Sequence, residues 1–189
     1  MNKIKMILPL VTLLGLNGCL SSSSNYYVLS MASQPSVVYI KKNTIIGVEK
    51  ITVPGYLYKR EIAVAKSSNQ ITLLGDALWG EDLDAGLTQR LISFLQKKFN
   101  QPNVYAYPWD VERQPNIKVG VQITRFIAQG DKVYLDANWE LTQLVTHSRK
   151  SRLFSTTVPT GSDASSIVKA MDRAFSQLEE EVAKGVKRF

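Results

Sequence analysis

The sequence predicts a single α/β domain in which a mostly antiparallel or mixed sheet of roughly five to seven strands carries two amphipathic helices on one face. Three observations predict it. Leu83, Leu87, Leu91, Phe94 and Leu95 recur at helical spacing between Asp82 and Phe99. Ile167, Met171, Ala174, Phe175, Leu178 and Val182 do the same after Asp163. Between them, Ile117, Val119, Val121 and Ile123 alternate with Lys118, Gly120, Gln122 and Thr124. Across a turn at Gln129-Gly130-Asp131, Val133, Leu135, Ala137, Trp139 and Leu141 alternate with polar neighbours, the mark of a long half-buried hairpin.

The chain begins with Lys3, Lys5 and an apolar run from Met6 to Leu16, which read as a secretory signal over residues 1–18. The greasy core is too short for a membrane-spanning helix, which needs about 20 residues. Cys19 is the only cysteine and has no partner for a disulfide. Leu16-Asn17-Gly18-Cys19 resembles the bacterial lipobox, with Leu three residues before the cysteine and a small residue just before it. Asn17 departs from that pattern, which prefers Ala, Ser, Thr or Val. The resemblance implies an N-acyl and S-diacylglycerol lipid on Cys19, and no other cofactor is expected. Such chains hold a protein on a membrane at roughly 0.8 kcal/mol per buried methylene. The plainer alternative is an ordinary signal with an incidental cysteine. Leu20 follows where, in enteric-type bacteria, an Asp retains lipoproteins at the inner membrane. Its place there implies export to the periplasmic face of the outer membrane. Residues 19–25, with the run Ser21 to Ser24, form a flexible tether, and residues 26–189 form the domain.

Within the domain, Tyr26-Tyr27-Val28-Leu29 has the composition of a short strand. Thr44 to Val53 reads as a second, ended by Pro54-Gly55. Tyr56-Leu57-Tyr58 then suits either satellite core or an exposed contact patch, since aromatic residues are enriched at interfaces. Glu61 to Ala65 and Gln70 to Leu74 flank Ser67-Ser68-Asn69 as a hairpin. On the helix that follows, Gln89, Arg90, Gln96 and Lys97 are placed outward. Asp76, Glu81, Asp82 and Asp84 read as caps and dipole partners at its start, and Lys97 and Lys98 suit its end. A catalytic or metal site is not favoured, because no second cluster of His, Cys or acids completes one. Val104 to Tyr107 makes a short strand, the slip at Arg125-Phe126 predicts a bulge, and Ser151 to Val158 returns beside the hairpin. Gly161-Ser162-Asp163 caps the last helix, which closes with Lys184, Lys187 and Arg188.

The formal net charge is +7, about +5 without the signal, and this mild basicity excludes a nucleic-acid-binding composition. His147 is the only histidine and sits in a turn, so no nucleophile, base and acid assemble, and no glycine-rich loop cradles phosphate. The sequence therefore argues against an enzyme. Arg149, Lys150 and Arg152 form a local basic surface with His147, suited to a solvated turn or to anionic headgroups or an acidic partner. Trp79, Trp109 and Trp139 suit packing or a ligand cleft equally.

Several segments taken together carry a further resemblance. They are Tyr26-Tyr27-Val28-Leu29, Gly47-Val48, Val53-Pro54-Gly55-Tyr56-Leu57, Leu78-Trp79 with Leu83, Tyr107-Pro108-Trp109, Arg125-Phe126, and Val133-Leu135-Ala137-Trp139. In order and spacing the chain resembles the ABC-type transport auxiliary lipoproteins of the PqiC (YmbA) kind. It departs from them at Arg60 and Asp82, where many relatives have proline. The resemblance implies a non-enzymatic accessory of an intermembrane lipid-transport system. Its expected partners are a mammalian-cell-entry (MCE) domain protein that forms a periplasmic conduit and that protein's membrane permease partner. Tyr56, Leu57, Tyr58 and Trp79 are the expected contact patch. A closed homo-oligomer is also expected, since a tubular partner is symmetric. The alternative is a lipoprotein that carries lipid or a small ligand in its own pocket, lined by Trp109 and Trp139.

Overall fold

The computed structural model describes residues 23–32, 34–41, 43–108 and 114–189. The signal segment, Cys19, Leu20 and Trp109 lie outside the described residues. Among the described residues, eight strands and two α-helices form one α/β domain: β1 (Asn25–Tyr27), β2 (Ile46–Glu49), β3 (Glu61–Ser67), β4 (Gln70–Trp79), α1 (Leu83–Phe99), β5 (Val104–Tyr107), β6 (Ile117–Gln129), β7 (Lys132–Gln143), β8 (Arg149–Pro159) and α2 (Ala164–Arg188).

The sheet is organised on β6, whose 13 residues are long enough to serve several neighbours. Along one edge it pairs antiparallel with β7 from Ile117↔Gln143 to Gln129↔Lys132. Its other edge is shared. β2 runs parallel to the first part, Ile46 opposite Ile117, a lone bridge joins Thr52 to Gln122, and β3 runs parallel to the last part, Val64 opposite Ala128. β5 extends the sheet beyond β2, β4 and β1 extend it beyond β3, and β8 pairs with β7. The sheet is thus mixed, as expected. The ladder shifts register between Ile123 and Arg125, which puts the bulge at Thr124, beside the expected slip.

Two expectations need correcting. The strand expected over Thr44 to Val53 is laddered only at Ile46–Glu49, because the chain then turns toward α1 and the Ile51 N–H donates to Thr88 Oγ1 at 3.0 Å. Of the acids at the start of α1, Asp82 holds the N-cap position without a side-chain cap bond. Asp84 is turned inward instead, accepting from the Ala85 N–H and pairing with Lys50, each at 2.7 Å. The cap of α2 forms as expected, with Asp163 accepting from the Ser166 N–H at 2.9 Å.

The core lies between the helices and the inner faces of β6 and β7, where Val119, Ile123, Phe126, Leu135, Trp139 and Leu141 meet Leu87, Leu91, Phe175, Leu178 and Val182. The two helices run side by side in the same direction, since Arg90 reaches Ser176 while Lys98 reaches Glu180. Both C-terminal ends therefore fall at one end of the molecule. Gly185 of α2 sits over the Trp139 ring, so close that a Cβ placed on it would lie 2.5 Å from Cη2.

Candidate functional site

The segment between β1 and β2 has no helical or strand periodicity, and it crosses the helix pair as a strap. Leu29 and Ala32 enter the core. The Ser30 N–H donates to Asp172 Oδ1 at 2.9 Å, and Lys97 donates to the Ala32 carbonyl. Further on, the Tyr39 N–H donates to the Lys98 carbonyl at 2.7 Å. The Tyr39 ring leans on Phe99, with Lys98 Nζ 4.7 Å and Lys187 Nζ 4.3 Å from its centroid. Lys41 Nζ donates to the Val186 carbonyl at 2.9 Å, helping to close the C-terminal end of α2.

Under the strap lies a buried polar cluster. Arg90 pairs with Asp172, donates through Nη2 to Ser176 Oγ at 2.8 Å and through Nε to Glu179 Oε1 at 3.3 Å, and its Nη1 stands 3.4 Å from Ser30 Oγ. Arg90 was expected on the outward face of α1, and the structure corrects this, because strap and α2 cover that side. The signal was present in the spacing. Position 90 lies three residues after Leu87 and four before Phe94, on the apolar stripe itself.

Burial pushes the Glu179 carboxyl up to about 7, and Arg90 opposes that rise. Its folded pKa therefore stands above its ordinary value of 4.5. The folded state holds a proton that the unfolded chain has released, so this group's contribution to stability falls as pH rises between about 4.5 and 7. Glu179→Gln should match the parent in thermal unfolding at pH 5 and be the more stable of the two at pH 8. The separation in Tm should reach several degrees, at about 2–4 °C per kcal/mol for a domain of this length. A parallel pair of Tm profiles over that range would exclude it.

The expected contact patch is only partly a surface. Gly55–Tyr58 forms a 3₁₀ turn that tucks Leu57 into the core. Trp79, at the end of β4, is equally buried, its backbone N–H donating to the Arg60 carbonyl at 2.6 Å. Tyr56 is half-buried, and its hydroxyl accepts from the Phe126 N–H at 3.1 Å. Tyr58 is the exposed member, at 59%. The turn folds its middle residue inward, so the four residues do not form one exposed face. Trp139, expected beside a cargo pocket, is 1% exposed and packs on Gly185. Arg149, Lys150 and Arg152 lie at the start of β8, opposite Thr142, Leu141 and Trp139. Arg149 and Arg152 are exposed and Lys150 is partly covered. Among the described residues no strand pairs with the outer edge of β8.

This open mixed sheet with two parallel helices on one face is a known fold. It matches the crystal structure of an uncharacterized protein with a TM-score of 0.72 at 20% identity, over 87% of this chain and 99% of the other. A Xanthomonas campestris protein matches with a TM-score of 0.72 at 15% identity, over 85% and 93%. The family described as "ABC-type transport auxiliary lipoprotein component" matches residues 27–183, and the chain belongs to that family. It is also 28% identical, over 98% of its length and 99% of theirs, to the proteins named "Intermembrane transport lipoprotein PqiC" of Escherichia coli and Shigella flexneri.

Proposed function

We propose that this chain is a periplasmic lipoprotein, anchored through acylated Cys19 in the outer membrane, that serves as the accessory partner of an MCE-domain intermembrane lipid-transport system. The observation that carries the reading is the likeness to PqiC, an intermembrane transport lipoprotein, over almost the full length of both chains. The signal-like start and the lone cysteine support the anchor. The role is mechanical and non-enzymatic. Acyl chains fix one end of the protein to a bilayer, and the folded domain keeps a conduit protein at high local concentration beside it.

The test is affinity purification of the tagged full-length chain from crosslinked envelopes, with Cys19→Ala alongside, read by mass spectrometry. The expected result is an MCE-domain protein and its permease partner, in amounts reduced by Cys19→Ala. Phospholipid in abundance without either protein would overturn the accessory reading in favour of cargo carriage.

A further inference from the structure

We infer that the outer side of the strap is a membrane-contacting surface, which lies against the anionic bilayer that the Cys19 anchor enters. The inference deepens the proposed function and rests on its reading of Cys19. Half of the large apolar side chains exposed among the described residues fall within residues 26–40, as Tyr26, Val28, Met31, Val37, Val38 and Ile40. Met31 and Ile40 are each 83% exposed. The backbone is not free to fold them away. Ser30, Ala32, Tyr39 and Lys41 are bonded inward to α1 and α2, which fixes the strap against the helices and leaves these side chains outward.

Charge points to the same occupant. No Asp or Glu occurs between Cys19 and Val48, and the two charged residues there are Lys41 and Lys42. At the far end of the strap, Lys41, Lys97 and Lys187 are bonded to carbonyls or stacked on Tyr39. None of the three has a carboxylate partner among the described residues. Apolar side chains rimmed by lysines are what an interfacial, anionic lipid surface selects.

The short tether points the same way. Asn25 is six residue steps after Cys19, and an extended chain spans at most about 3.3–3.6 Å per residue, roughly 20 Å in all. The strap follows this tether directly after the three residues of β1. It continues along α1, a helix of 17 residues and so about 25 Å long. A domain on so short a leash must present some face to the headgroups, and the apolar, acid-free strap is the face next to the leash.

The full-length chain provides its own assay, because acylation consumes its one thiol. Ile40→Cys then introduces a unique site for an environment-sensitive fluorophore, with Leu153→Cys on the exposed edge of β8 as the distant control. Each chain is reconstituted into phosphatidylethanolamine–phosphatidylglycerol vesicles, with and without spin-labelled lipid. The expected result is blue-shifted emission and several-fold stronger quenching at position 40 than at 153. Equal quenching at both positions, none at 40, or shielding at 40 only when an MCE-domain protein is added would overturn the inference. Intact mass of the same samples reads the anchor separately. If Cys19 proves unacylated, the anchor reading fails, and Cys19→Ser with Ile40→Cys is mixed with the same vesicles. Quenching there would still support a membrane-contacting strap, and its absence would overturn it.

Discussion

Arg90→Ala is expected to destabilise the domain by about 3–5 kcal/mol, the cost of breaking a buried ion pair from one side. The Arg90 side chain is 5% exposed, and its partners Glu179 and Asp172 are 1% and 18% exposed. Removing the guanidinium strands Glu179 in the core, takes the donor from Ser176, and unties Ser30 of the strap from α1. The fold can limit the loss by protonating Glu179, whose carboxyl is already pushed up to about 7. The deficit should therefore be smaller at pH 5 than at pH 8. Arg90→Lys is expected to recover only part of it, since one ammonium cannot serve the four residues that a planar guanidinium reaches together. Urea unfolding of the three chains at both pH values decides the matter. A loss below about 1 kcal/mol, of the size seen for exposed pairs, would mean that the cluster is solvated in solution.

Gly185→Ala is expected to weaken the fold, although alanine is the better helix former by about 0.8–1 kcal/mol. The new methyl would stand 2.5 Å from Cη2 and 2.7 Å from Cζ3 of Trp139, with Leu141 Cδ1 at 3.4 Å behind. That ring is rigid and 1% exposed, so either α2 or β7 must move. Overpacking of this kind costs about 1–3 kcal/mol, which outweighs the gain in propensity. Trp139→Phe removes the ring atoms that Cβ would strike, and it should cost less in the Gly185→Ala background than in the parent. A double-mutant cycle measures that coupling. Additive losses would show that helix and ring are not in contact.

The elements whose residues repeat at a fixed period were legible in the sequence. Both helices, the β6–β7 hairpin, its bulge and the Asp163 cap follow from spacing or from a local capping residue. The parallel pairings of β2 and β3 with β6 were not, because they join segments far apart in the chain and no local pattern sets their register. The strap has no period and was invisible for that reason. The contact patch was misjudged at Leu57 and Trp79, because composition says that aromatic and apolar residues meet at a turn but not which side of it faces inward. Arg90 was misplaced because its charge outweighed its position on the apolar stripe, although Asp172, Ser176 and Glu179, at spacings of 4 and 3 on the other helix, form the matching polar track.

The strap also bears on the order in which the chain acquires its shape. Ser30 bonds to a residue 142 positions later, and Lys41 to one 145 positions later. Contacts of such separation close late, since the intervening chain must first be confined. In vectorial synthesis or export the partners of Ser30 and Lys41 do not exist until the last helix has emerged. β1, Ala32 and Tyr39 can dock earlier, on β4 and α1, so the strap is held to one helix before the other arrives. Completion of α2 would then lock the strap across both helices.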